Sequence, residues 1–111
     1  MGVTKEIEVN ATIAKTIPIL TEPLVRMGIY KNQREALKGL MLQLVQQKIN
    51  EAQQEIIHFE RKYGMSFEEW TASLIGKASI EEEDDWMEWE SARDILESWQ
   101  RIKAEIERSN V

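Results

Sequence analysis

The chain has 111 residues, a formal net charge of −6 and no cysteine. That length points to one domain, or one domain with an extension. The missing cysteine excludes a disulfide framework and a thiolate metal site, and suits a reducing cytoplasmic compartment. No apolar run approaches the roughly 20 residues of a membrane span, and the N-terminus shows no signal-peptide core, so a soluble protein without a membrane partner is expected. The charge is uneven. Residues 1–50 carry seven Lys/Arg against four Glu, a balance of +3, and residues 51–111 carry seven against sixteen Asp/Glu, a balance of −9. A mildly basic front and an acidic rear suggest different partners at the two ends; the alternative is that the charges only solvate helix faces.

Residues 4–10, TKEIEVN, alternate polar and apolar, with Ile7 and Val9 on one side. The pattern predicts a short strand pairing with the same strand of a second copy, an irregular arm being the alternative. Over residues 11–27, Ile13, Ile17, Leu20, Leu24 and Val25 recur at helical spacing, but Pro18 and Pro23 would break a continuous helix. The expectation is a short helix near 11–16. A second would have Thr21 as its cap, Pro23 in its first turn and Gly28 as terminator.

Residues 32–63 read as one helix closed by Gly64, with Asn32 as cap and Glu35 where a capping-box carboxylate belongs. Val45, Ile49, Ala52, Ile56, Phe59 and Tyr63 follow at spacings of four and three, a seam for another helix. At ~1.5 Å per residue this element would be roughly 48 Å long, which calls for a long partner. Ser66 with Glu69 opens a short helix over 67–75, carrying Phe67, Trp70, Leu74 and Ile75, and Gly76 ends it. Ser79 with Glu82 opens a last helix over 80–107. Its apolar row is Ala92, Ile95, Trp99, Ile102 and Ile106, widened by Trp89 and Leu96. The predicted fold is mainly α: a long helical hairpin (about 33–63 and 80–107), a short connecting helix and an N-terminal strand or short-helix piece. A homodimer would complete a helical bundle. Residues 1–45 form the dimerisation region and 46–111 the acidic, partner-binding hairpin.

The run Glu81-Glu82-Glu83-Asp84-Asp85 opens the last helix. Carboxylates in a first turn interact favourably with the helix dipole, at about 0.3–1 kcal/mol each. Five in succession also repel one another, and the functional reading that stands beside the dipole one is a surface for a basic partner, with Trp86, Met87 and Trp89 as apolar anchors. The candidate partner contacts are Glu81, Glu82, Asp85, Trp86 and Trp89, while Trp99 is assigned to the core. Consecutive acids fan around a helix and lack calcium-loop spacing, so no metal site is expected. The single histidine, His58, lies beside the seam with Glu55 and Lys62 at ordinary surface-pair spacing. No nucleophile–base pair, phosphate-cradling loop or zinc set is present, so the chain is expected to be non-enzymatic and without a cofactor.

The segment IEVNATIAKTIPILTEPLVRMGIYKNQREALKGLMLQLV resembles the ribbon-helix-helix pattern of many prokaryotic type II antitoxins and small repressors. The rear stretches YGMSFEEW and IEEEDDWMEWESARDILE are similar to antitoxin-like proteins encoded beside a toxin. The resemblance implies a front half that dimerises and contacts operator DNA through paired strands, and a rear half that wraps and neutralises a basic toxin. Lys5, Lys31 and Arg34 become candidate DNA contacts, with Lys15, Arg26 and Lys38 as further cations. Two features depart from the pattern. Glu6 and Glu8 occupy the outward strand positions, where carboxylates meet phosphate repulsion, and Pro18 interrupts the first helix. Both fit a front half that dimerises without reading DNA. A stand-alone DNA-binding repressor and a purely structural helical adaptor are the alternatives.

Overall fold

The structure, a computed structural model, describes the backbone of residues 2–109 and the side chains of residues 14–109. Among the described residues the chain forms four helices and no strand: α1 (Gly2–Arg26), α2 (Gln33–Tyr63), α3 (Phe67–Leu74) and α4 (Ile80–Arg108). The expected mainly α fold is present. Two compact units divide the chain within α2, one reaching to Met41 and one running from Leu42 to Ser109.

The first unit departs from the sequence expectation. Residues 4–10 are helical, inside α1, where a strand was predicted. A lone strand leaves its backbone donors and acceptors unpaired, whereas a helix pairs them within itself. The alternation, carried by Ile7 and Val9 alone, did not outweigh that. Nor do the prolines split α1, which runs through both Pro18 and Pro23. Each removes one donor and frees the carbonyl four residues back. The residues bearing those carbonyls, Ala14 and Ile19, are exposed, so water can take the freed acceptors. Thr21, predicted to cap a second helix, is instead buried in mid-helix and donates its hydroxyl to the Ile17 carbonyl at 2.8 Å. Gly28 does terminate α1, at φ +76°. Its N–H donates to the Val25 carbonyl and that of Ile29 to the Leu24 carbonyl, both at 3.0 Å, the paired bonds of a Schellman end.

Gly39 is the one glycine inside α2, where glycine costs about 1 kcal/mol relative to alanine. A Cβ there would collide with the Tyr30 ring, so the connection after α1 folds back onto a helix face that only glycine leaves open.

The ends of α2, α3 and α4 follow the sequence closely. The Asn32 Oδ1 accepts the Glu35 N–H at 2.8 Å where α2 begins, and Gly64 closes the helix at φ +66°. Ser66 Oγ accepts from Glu69 N at 3.2 Å to start α3. Ser79 and Glu82 form a reciprocal capping box at the head of α4. The α2 seam is buried at Val45, Ile49, Ala52 and Phe59. Helices α2 and α4 run antiparallel: Gln46 meets Lys103, Phe59 stacks on Trp89, and Tyr63 meets Asp85.

The core is aromatic. Phe59, Trp70 and Trp89 form its centre, with Ile56, Tyr63, Met65, Phe67, Leu74 and Trp86 around them. Trp89 stacks on Phe59 at 5.7 Å and on Trp70 at 5.4 Å, and receives Phe67 edge-on at 5.3 Å. Such pairs add about 0.5–1.5 kcal/mol each to their burial. On α4 the expected row departs at Ile95 alone, which is 45% exposed, while Leu96, expected to widen the face, is half-buried. Trp99, assigned to the core, is only half-buried.

Candidate partner-binding site on the acidic helix

The five residues singled out at the start of α4 have separate fates. The Glu82 carboxylate accepts the Ser79 N–H at 3.1 Å, so its work is capping. Asp85 accepts from Lys62 Nζ at 2.6 Å and from the Tyr63 hydroxyl, which ties the head of α4 to the end of α2. The bonds from Lys62 and then Tyr63 hold the Asp85 carboxyl below the usual carboxylate range. The same bond raises Lys62, while burial first and the bond to Asp85 second push Tyr63 up to about 12. Glu81 is 79% exposed and reaches Lys62 only at 3.4 Å.

The tryptophans divide as well. Trp89 is 1% exposed, at the centre of the core, and its indole nitrogen is buried without an acceptor among the described residues. It presents no surface to a partner, which corrects its assignment as a contact. Helix α3 causes this by laying Trp70 and Phe67 over that face of α4. Trp86 is half-buried: it stacks on Phe67 at 5.8 Å and donates its indole N–H to Thr71 Oγ1 at 2.9 Å.

The far side of Trp86 lines an open pocket of about 370 Å³, shared with Thr71, Leu74, Ile75, Ala78, Glu83 and Met87. Ile75 is 77% and Met87 63% exposed there. Of the five candidate contacts only Trp86 lines this pocket; Glu83 and Met87, from the same stretch, supply the rest of its α4 side. The α3 side was not foreshadowed, because nothing in the spacing of 67–75 says which α4 residues it will face. Along α4, Glu83, Met87, Glu90 and Asp94 share one helix face at steps of three and four, and all four are exposed. Among the described residues no cation of the chain pairs with Glu83, Glu90 or Asp94.

A second groove, of about 220 Å³, is lined in part by Ile56, Glu60, Glu68, Arg93, Leu96 and Glu97. Here the chain supplies its own cation. Arg93 donates to Glu68 at 2.6 Å and lies 4.3 Å from the Phe67 ring centroid.

The candidate DNA contacts lie in the first unit. Lys31 and Arg34 are exposed at the head of α2, and the side chain of Lys5 lies outside the described residues. No strand occurs among the described residues, so the paired-strand reading head implied by the resemblance is not seen among them. Arg26 is engaged by Glu22 at 3.2 Å. His58 is exposed with its ring edge on Phe59 at 5.1 Å, a surface residue of α2. No helix among the described residues is long and apolar enough to cross a membrane, and no group of three or more potential metal ligands converges among them. No family model, no curated protein and no solved structure matches the chain.

Proposed function

We propose that the chain is a non-enzymatic cytoplasmic binding protein whose acidic second unit holds a basic partner protein, in the manner of a type II antitoxin that neutralises its toxin. The outer face of α4 carries this reading. Glu83, Glu90 and Asp94 are exposed and without a cation of their own chain, and they accompany an apolar pocket. Carboxylates so arranged speed the encounter with a cationic protein and reject an anionic one, while apolar contact supplies residence time. Self-association is part of the proposal. The first unit leaves Ile19, Leu20, Met27, Ile29, Leu37, Leu40 and Met41 exposed, apolar surface suited to a second copy.

The test is co-expression with the product of the adjacent reading frame. The expected result is a basic protein that arrests growth when made alone, is silenced by this chain and co-purifies with it. The paired charge reversal Glu83→Lys and Glu90→Lys should loosen that complex, and more so as salt rises. A neighbour that is harmless, or that fails to co-purify, ends the antitoxin reading.

A further inference from the structure

The two grooves of the second unit differ in whether the chain answers their charge. Arg93 occupies the one edged by Glu60, Glu68 and Glu97, and Arg101 takes Glu97 at 3.0 Å. The pocket between the end of α3 and α4 contains one charged lining residue, Glu83, and no cation. Its one hydroxyl, on Thr71, already accepts the Trp86 indole N–H. What remains is an apolar cup of Leu74, Ile75, Ala78, Trp86 and Met87 with a carboxylate lip. Below Met87 the acidic row continues through Glu90 and Asp94.

From this combination we infer that the pocket seats an apolar side chain of a lysine- or arginine-rich amphipathic helix of the partner protein, whose cations lie along Glu83, Glu90 and Asp94. The inference rests on reading the second unit as a holder of a basic protein, and it names where and by what chemistry. Charge complementarity selects the occupant. A second copy would bring the same acidic row against itself, and an anionic membrane would meet the same repulsion. A basic but uniformly polar segment would leave Ile75 and Met87 uncovered. An amphipathic helix satisfies both, because residues three and four apart present one apolar and one cationic stripe to a groove.

The experiment titrates the full chain with a synthetic leucine–lysine peptide patterned as an amphipathic helix. A scrambled peptide of the same composition and a glutamate-for-lysine counterpart serve as comparators, with affinity read by calorimetry. The expected result is binding of the patterned peptide alone, weakened about tenfold or more by Met87→Asp or Ile75→Asp, as for a central anchor. Both side chains are exposed, so circular dichroism and melting should be unchanged in these variants. Equal binding of the scrambled peptide, or binding indifferent to Met87→Asp and Ile75→Asp yet abolished by Glu83→Lys with Glu90→Lys, overturns the pocket and leaves the acidic-surface reading standing. No binding of the patterned peptide overturns the pocket too, and the co-purification test then decides the wider reading alone. Self-association lost on Met87→Asp without any peptide assigns the cup to a second copy and likewise overturns the inference.

Discussion

Inner and outer faces of α4 are built from the same kinds of residue and put them to different use. On the inner face three charged side chains meet a group from another helix: Asp85 meets Lys62 and Tyr63, Arg93 meets Glu68, and Lys103 meets Gln46 at 3.0 Å. These contacts fix how α4 lies on α2 and α3. On the outer face Glu83, Glu90 and Asp94 have no such partner among the described residues, and Met87 stands exposed between Glu83 and Glu90. Exposed groups without partners add little to folding. The comparison teaches that a charged helix need not be charged for one reason: some of its charges fix how it lies on its neighbours, while others face solvent with no partner among the described residues of the chain.

The sharpest way to break this contrast is to truncate one aromatic or apolar residue on each face. Trp89→Ala should cost about 3–5 kcal/mol in denaturant unfolding, the loss expected of a buried aromatic side chain, since Trp89 is 1% exposed. Met87→Ala, two residues away, should stay within about 0.5 kcal/mol. Similar losses for both would erase the distinction.

A smaller effect tests the inner charges through pH. The Asp85 carboxyl is held below its ordinary 3.8, so its contribution is complete above that value and is lost as pH falls through the lower folded value. Lys62 and Tyr63 are raised. Their contributions are complete below 10.5 and 10.0 and are lost as pH climbs, that of Tyr63 by about 12. Melting temperature followed across pH should therefore fall at both extremes, and Asp85→Asn should remove its share of the acid limb. An acid limb identical in the variant would detach Asp85 from the hairpin.

Smallest is the cap. Ser79→Ala removes the hydroxyl that accepts the Glu82 N–H, at about 1 kcal/mol. Calorimetric melting should show that loss while the patterned peptide binds as before; a change in peptide affinity instead would mean that the capped turn is part of the outer surface.

How much of this could be read beforehand depended on how local each cause is. The ends of α2, α3 and α4 were legible because Asn32, Ser66, Ser79, Gly64 and Gly76 act within a few residues of themselves. The seam of α2 was legible because its period repeats over many turns. The helix over residues 4–10 was not, since the pattern there was short and the deciding cost, a strand without a partner, lies outside the segment. Prolines at 18 and 23 misled for a related reason: their penalty is set by the surroundings of the freed carbonyls. Burial of Trp89 rather than Trp99 depends on Trp70 and Phe67 arriving from α3, and the Lys62–Asp85 bond joins residues 23 positions apart. Ile95 and Leu96 differ by one step of the helix, and only the packed partner shows which side faces in.

The antiparallel register of α2 and α4 sets a rule for how this hairpin can change in length. Gln46 with Lys103, Phe59 with Trp89 and Tyr63 with Asp85 show that each advance along one arm is matched by a retreat along the other. Inserting a single residue into either arm turns everything beyond it by about 100° and carries the aromatic row off the seam. Relatives with longer or shorter arms would then differ by whole heptads, gained or lost on both arms together. The hairpin grows in paired increments, much as a zipper gains teeth on both tapes at once.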